Sequence, residues 1–354
     1  MTQSRYFATA AVHESKGDLA LALSCMINAA KDPDRARMAP VVQANSRRLF
    51  ELARRRAAAE YSGMKIDVVS ESRHSPLTYT RDITGKNSLP PVISLTTIST
   101  RVNRVERTIE SALAQRLSPH SINLFVSNEP FLLDEGIASN HPVLKRLASL
   151  GVNIYAVPNI GPYRKQYPVL KMLRQSGAPP DTPIITLDDD VIYPEDAIGA
   201  LMDEAEREAS VVAHRGRELH FDHSGRIKPY NLAAPPRRAC CLRNLGTGKN
   251  GIVYRLKHFP RDAGDYVGPQ LAPTADDIWC KWVTALNCIP TRIVSPNAIQ
   301  SREHDFEETD PDDKTALWHN FNARGSNDIA IANIENFFAW ARGSVVKLMV
   351  ACHV

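Results

Sequence analysis

From residue 91 onward, short apolar runs alternate with helical stretches, and this alternation restricts the fold more than any other feature of the chain. "PVISLTTI" (91–98) reads as a buried strand, and "RVNRVERTIESALAQ" (101–115) as a helix with Val102, Val105, Ile109 and Leu113 near a 3.6-residue period. "SINLFVSN" (121–128) reads as a second strand; "VLKRLASLG" and "VNIYAV" add a further helix and strand. Strands joined by crossover helices predict an α/β domain with a mostly parallel sheet and helices on both faces. Ligands of such sheets gather beyond the carboxyl ends of the strands.

Those ends are rich in polar and charged residues. The first carries Thr96, Thr97 and Arg101, and the second Ser127, Asn128 and Glu129. The third leads into "NIGPYRKQYP" with Arg164 and Lys165, and "PIITL" ends in Asp188, Asp189 and Asp190. Loops are polar in any case, but Arg and Lys converging on an acidic strand end suit a phosphate-bearing ligand held with a metal.

Three adjacent aspartates need a reason, because each raises the cost of ionising the next. On an extended chain Asp188 and Asp190 face one way and Asp189 the other. Two carboxylates on one face repel unless a cation lies between them, and a hard divalent ion with oxygen ligands, Mg²⁺ or Mn²⁺, meets that need. The same residues could instead complement the dipole of the helix starting near "PEDAIGALMDEAE". Tyr193 and Pro194 intervene, and the strand-like approach favours the metal. A second acidic pair, Asp276 and Asp277, lies in "TADDIWCKWVTALN", which reads as a helix capped by Thr274. Catalysis and plain dipole complementation both fit a first-turn position.

The N-terminal part has a different texture. Residues 18–30 and 41–61 are rich in Ala, Leu and Arg without internal Gly or Pro, and predict an αα-hairpin turning at "KDPDRARMAP", with Asp18 as an N-cap. Its basic stretch Arg47 to Arg56 would serve as a solvated helix face, or as a peripheral contact with anionic lipid or a partner. The turn-rich segment 70–91 places the boundary after residue 88. This gives a helical region and linker (1–88), an α/β domain (89–328) and a C-terminal helical segment (329–354).

At 354 residues and 43% hydrophobic content, the chain can build one large α/β domain plus an appendage. A formal charge of +4 is too small to call for nucleic acid. Cys25, Cys240, Cys241, Cys280, Cys288 and Cys352 form no CxxC pair and no zinc-finger spacing, which predicts free thiols. The N-terminus lacks the pattern of a signal peptide, and no window offers about 18 uninterrupted apolar residues. The expectation is a cytoplasmic protein.

Five segments in order, "GPYRKQYPVLKML", "IITLDDDVIYP", "VVAHRGREL", "GKNGIVYRLKHF" and "APTADDIWCKWVTALNCI", are similar to the ordered motifs of bacterial GT-A glycosyltransferases, particularly those tied to surface polysaccharides. The resemblance covers residues 91–328 and implies a Rossmann-like GT-A fold. By the resemblance, Thr96, Thr97 and Arg101 hold the nucleotide base and ribose, with Asn128 a further substrate-binding candidate. Asp188, Asp189 and Asp190 match the DxD motif, in which the last aspartate binds Mn²⁺ or Mg²⁺ and the earlier ones reach the ribose and the metal's waters. Asp188 is a second metal candidate. Arg164 and Lys165 are implied as diphosphate or ribose contacts, and Asn250, Gly251 and Tyr254 as the loop beside the donor sugar. Asp276 and Asp277 match the pair that supplies the base of inverting members. His304 or His319 would add the histidine that such enzymes often bring to the metal. No QxxRW-type motif follows the acidic pair, which argues against a processive membrane synthase.

The function so implied is transfer of a sugar from a nucleotide donor, UDP-sugar on frequency alone, to a saccharide or lipid-linked acceptor. Sugar-phosphate or nucleotidyl transfer uses similar aspartates around a metal. A non-catalytic scaffold that binds nucleotide sugars is the alternative of another class. A haloacid-type phosphatase is disfavoured, because "DDDVIYP" lacks the threonine expected two positions after the last aspartate.

Overall fold

The computed structural model describes residues 3–30, 39–72, 77–78, 80–81, 87–207, 209–294 and 306–351. His304 and Cys352, and most of the turn expected at 31–40, lie outside the described residues.

A nine-stranded sheet organises the chain. Its spatial order is Asp67–Ser70, Asn153–Ala156, Ser121–Val126, Val92–Thr96, Pro183–Thr186, Ile252–Arg255, Val211–Ala213, Thr291–Ile293 and Cys240–Cys241. The four strands from Asn153–Ala156 to Pro183–Thr186 are mutually parallel, the Rossmann-like core expected from the alternation. Beyond it, Ile252–Arg255 pairs antiparallel with both of its neighbours, and Val211–Ala213 returns to parallel pairing with Thr291–Ile293. The chain runs outward through the first three parallel strands, then jumps back so that the fourth lies against the first. A crevice forms at this switch point, between the ends of Val92–Thr96 and Pro183–Thr186.

Alternation along the strands divides the core in two. Ile93, Leu95, Leu124, Val126 and Ile185 pack against the helices Val105–Leu113, Pro142–Ser149 and Ala197–Arg207. Val92, Phe125, Tyr155 and Ile184 face the other way, towards the helices Tyr167–Gln175 and Asp276–Leu286. On the helix Val105–Leu113, Val105, Ile109 and Ala112 are buried, whereas Leu113 is 42% exposed. The apolar stripe drifts by one residue because the helix begins at Val105, after a turn over 99–104.

The N-terminal region is more extensive than the expected hairpin. It forms three helices, Gln3–Ser15, Leu19–Ala30 and Ala39–Gly63. Asp18 caps the second, its carboxylate accepting from the Leu21 N–H at 3.0 Å. The third ends against Lys171, whose ammonium donates to the carbonyls of Tyr61, Ser62 and Met64 at 2.8–3.1 Å and complements the negative end of the helix dipole. Leu23, Leu49, Phe50 and Ala53 join one core with Trp279, Phe337 and Phe338, so these helices pack into the body of the protein. Asn333 ties the parts together by donating to the carbonyls of Ala20 and Leu271. Much of the basic stretch is used internally: Arg48 pairs with Glu14, Arg54 with Asp262, and Arg56 donates to the Gly17 carbonyl. Among the described residues no helix is long and apolar enough to cross a membrane, and Cys25, Cys240, Cys241, Cys280 and Cys288 are free thiols.

The helix Asp276–Leu286 presents one acidic pair to the crevice, and its underside holds Lys281, whose ammonium donates to Thr291 Oγ1 at 3.2 Å. Burial pushes this lysine down to about 7 from 10.5. Between those two values the folded protein binds fewer protons at this site than the unfolded chain, so this group makes stability rise with pH across that interval. Lys281→Met removes the effect. The variant is expected to exceed the wild type in stability at pH 6, and to lose on the order of 2 kcal/mol of that advantage by pH 9, measured by urea denaturation at the two pH values.

Candidate functional site

The crevice at the switch point opens into a cavity of about 570 Å³. The expected alternation of the three aspartates does not hold, because the strand stops at Thr186 and residues 189–190 form a turn. All three side chains therefore reach the cavity wall. Asp189 is held on both oxygens, accepting from Thr97 Oγ1 at 2.6 Å and from Arg101 Nη1 at 2.8 Å. These bonds join the first parallel strand's end to the fourth's. The Asp188 N–H donates to the buried Tyr193 hydroxyl at 3.0 Å, which fixes the start of the loop.

Asp190 is held less fully. It pairs with Arg101 at 3.1 Å, yet burial, reinforced by Asp189 and Asp188, pushes its carboxyl up to about 7. Arg101 is shared further: its Nε pairs with Asp313 at 2.8 Å and bonds Thr315 Oγ1 at 3.1 Å.

The second acidic pair lies across the cavity. The helix Asp276–Leu286 is capped by Ala275 and has no side-chain cap. Thr274, the expected cap, instead donates its hydroxyl to Asn322 Oδ1 at 2.9 Å, because Ala275 is the residue at the cap position. Asp276 Oδ2 accepts from Gln166 Nε2 at 2.9 Å and pairs with Lys165 at 3.2 Å. Lys165 Nζ also donates to Asp188 Oδ1 at 2.6 Å, so one ammonium links the two acidic elements. Burial opposes that charge, but Asp188, Asp276 and Asp277 together hold it well above the usual lysine range. Asp277 Oδ2 accepts from the Gly248 N–H at 2.9 Å, whereas its Oδ1 is buried without a hydrogen-bond partner among the described residues. Burial and the neighbouring Asp276 push the Asp277 carboxyl up to about 7.

Thr96, Arg164 and Lys165 also line the cavity, and other expected positions lie elsewhere. Thr96 donates its hydroxyl to the Phe125 carbonyl at 2.7 Å. Arg164 is 1% exposed, pairing with Asp134 at 2.9 Å and donating to the Thr97 carbonyl, so most of its guanidinium is committed to the loop scaffold. Asn128 faces a separate cavity of about 770 Å³ at the other edge of the sheet, beside Lys65 and Asp67, because the second strand ends two positions from the switch point.

Asn250, Gly251 and Tyr254 do not line the 570 Å³ cavity; Gly248 and Lys249 occupy that wall. Gly251 adopts φ +93°, and an added Cβ would stand 3.1 Å from Leu187 Cδ2, so its requirement for glycine comes from backbone geometry. Tyr254 lies in the strand Ile252–Arg255 and turns into the core beside Phe259. His319 lines the cavity.

Several contributors carried no signal in the sequence. Gln166, through its bond to Asp276, and Tyr193, whose hydroxyl bonds Asp188 and Lys249, act through contacts that no spacing marks. A closing strap, Glu307–Glu308, pairs with Val191–Ile192, and the Thr309 N–H donates to the Asp190 carbonyl at 2.9 Å. Arg104 pairs with Asp310 and Lys249 with Glu308. Arg215 and Arg217, with Tyr230 and Trp318, line the same cavity as the aspartates; "VVAHRGREL" marked the place of the two arginines without giving them a role.

Among the described residues no group of three His, Cys, Asp or Glu side chains is arranged to hold a metal. Asp188 and Asp190 line the same cavity as oxygen donors, the ligand type of a hard divalent ion, and two carboxylates are enough for a cation whose shell a ligand's oxygens complete.

No protein-family model matches the sequence, and no curated protein is similar to it. Similar solved structures include a 4-diphosphocytidyl-2C-methyl-D-erythritol synthase, 11% identical with a TM-score of 0.32 over 50% of this chain and 83% of that one. Another is the mannosyltransferase PcManGT from Pyrobaculum calidifontis in complex with GDP-Man and Mn²⁺, 13% identical with a TM-score of 0.33 over 85% of this chain and 88% of that one. Likenesses this distant carry no weight for function.

Removing one partner of a buried ion pair leaves a charge without compensation. Lys165→Met is therefore expected to cost about 3–5 kcal/mol in urea denaturation at neutral pH. Adding Asp276→Asn should restore part of that loss, whereas additive effects would mean that Lys165 does not bridge the two acidic elements.

Proposed function

We propose that the protein is a metal-dependent glycosyltransferase that moves a sugar from a nucleoside-diphosphate donor to a hydroxyl of a saccharide or lipid-linked acceptor. The supporting observation is the meeting of two acidic clusters, Asp188–Asp190 from a strand end and Asp276–Asp277 from a helix N-terminus, across one cavity at the sheet's switch point. The ordered motifs over residues 91–328 favour the same reading.

The charge pattern bears on how the donor binds. Lys165 and Arg164, expected on the diphosphate, are already paired with Asp188, Asp276 and Asp134. A diphosphate approaching the aspartate loop then meets carboxylates, and a cation is required between them. Asp188 and Asp190 would hold Mn²⁺ or Mg²⁺, which when bound supplies positive charge for the departing diphosphate. Thr96, Thr97 and Arg101 border the pocket for the nucleoside.

Of the second pair, Asp277 is the better base. Asp276 is committed to Lys165 and Gln166, whereas Asp277 keeps one oxygen without a partner and the other oriented by the Gly248 N–H. In the transfer, the acceptor hydroxyl gives its proton to the Asp277 carboxylate while its oxygen bonds to the anomeric carbon. The bond from that carbon to the diphosphate oxygen breaks, and the nucleoside diphosphate leaves with the bonding pair. Attack from the face opposite the leaving group inverts the anomeric centre.

A donor screen scored by nucleotide release tests this reading. Release of nucleoside diphosphate supports it; nucleoside monophosphate would mean sugar-phosphate transfer, and pyrophosphate nucleotidyl transfer. Asp277→Asn is expected to lower kcat by about 10²- to 10⁴-fold with little change in donor affinity. In calorimetry, Asp190→Ala should abolish Mn²⁺-dependent binding of the nucleotide sugar, and retained metal-dependent binding would sink the assignment of Asp190.

A further inference from the structure

One wall of the cavity is basic and aromatic, and the mechanism above leaves it unused. It is built by the short strand Gly216–Glu218, which pairs antiparallel with Asn244–Gly246. Arg217 within this strand and Arg215 just before it both line the cavity. Gly216 between them packs so closely on the core that an added Cβ would stand 2.3 Å from Ile293 Cδ1 and 2.7 Å from the Leu245 carbonyl. The backbone thus cannot roll to hide the arginines without driving this residue out of its seat.

The Arg217 guanidinium lies 5.8 Å from the Tyr230 ring centroid. Among the described residues it donates one hydrogen bond, to the Ala233 carbonyl at 3.3 Å, and a guanidinium carries five N–H donors. Trp318 lies beside the same phenol, ring centroids 6.4 Å apart, and lines the cavity while 41% exposed. An exposed indole at the mouth of a polar cavity is a surface for the apolar face of a sugar ring, and a guanidinium fork next to it recognises a planar or tetrahedral anion. The wall also adjoins the proposed base: burial raises the Tyr230 phenol, the Asp277 charge raises it further, and Arg217 and Arg215 oppose that rise.

We propose that Arg217 and Trp318 form an acceptor subsite for an anionic saccharide, with Trp318 against the sugar ring and Arg217 on a carboxylate or phosphate group of that acceptor. This rests on the transferase reading for the identity of the second substrate, but not for the binding itself. The aspartate loop and the arginine wall divide the cleft by sign: the former needs a cation to receive a diphosphate, and the latter takes an anion directly. Two acceptor chemistries share that feature, a uronate and a sugar phosphate such as the end of a phosphate-linked lipid.

The test is binding to the full-length protein by saturation-transfer NMR and calorimetry, using methyl glucuronide, glucose 1-phosphate and neutral methyl glucoside as probes, with UDP titrated separately in Mn²⁺. At least one anionic sugar should bind ten-fold or more tightly than methyl glucoside, and which one does so distinguishes the two chemistries. Arg217→Gln should remove that preference, and Trp318→Ala should weaken all three sugars by several-fold. Arg217→Lys, which keeps the charge but loses the fork, should retain the fold and lose most of the preference. UDP affinity should be unchanged in each variant. Equal binding of the neutral sugar, a preference that survives Arg217→Gln, or a parallel loss of UDP binding would overturn the proposal, the last by placing Arg217 on the donor. Absence of UDP, GDP and nucleotide-sugar binding in the wild type, with the anionic preference intact, would instead defeat the transferase reading alone.

Discussion

One ammonium governs the arrangement of the cleft. Lys165 stands between Asp188 and Asp276, residues from the end of a parallel strand and the first turn of a helix, and it is almost wholly buried. Without a cation at that position, the two acidic elements would face each other across a low-dielectric gap, where like charges repel far more strongly than in water. The lysine is itself fixed by the backbone: the Ser94 hydroxyl of the first parallel strand donates to the Lys165 carbonyl at 2.6 Å. The sheet therefore sets the spacing of the acidic clusters through this side chain.

The sequence was informative where chemistry and backbone coincide. The strand ends and the two acidic pairs were legible because apolar runs stop abruptly at charged residues, and Thr96, Thr97, Arg101, Asp188–Asp190, Asp276 and Asp277 do line one cavity. It misled where a motif's neighbours were given roles by proximity in sequence. Tyr254 is three residues past Gly251, but the strand that begins between them turns its ring into the core. Asn128 is at a strand end, but not at the switch point. Arg164 and Lys165, expected on a diphosphate or ribose, do line the cavity, but each is also engaged in buried pairs with aspartates. A linear motif specifies which residues are near a site, whereas strand order and burial decide which of them remain available to a ligand.

The N-terminal helices show the same limit from another side. Their composition revealed the second and third, yet the helix Gln3–Ser15 has only a weak apolar stripe and was missed. Their place in the fold was not readable, since Lys171 at the end of one helix and Asn333 against another are contacts between residues more than a hundred positions apart. The N-terminal helices share one hydrophobic core with Ile278, Trp279 and Trp282 of the helix Asp276–Leu286, whose first turn carries the second acidic pair.

The closing strap raises a problem of charge. Glu308, Asp310 and Asp313 approach a loop that already carries three aspartates, an arrangement that is unfavourable unless cations are interleaved. Lys249, Arg104 and Arg101 fill that role, and Arg101 serves both sides at once, bonding Asp189, Asp190 and Asp313. Its Nη1 serves Asp189 and Asp190 while its Nε serves Asp313, so one guanidinium neutralises charge on the loop and on the strap together.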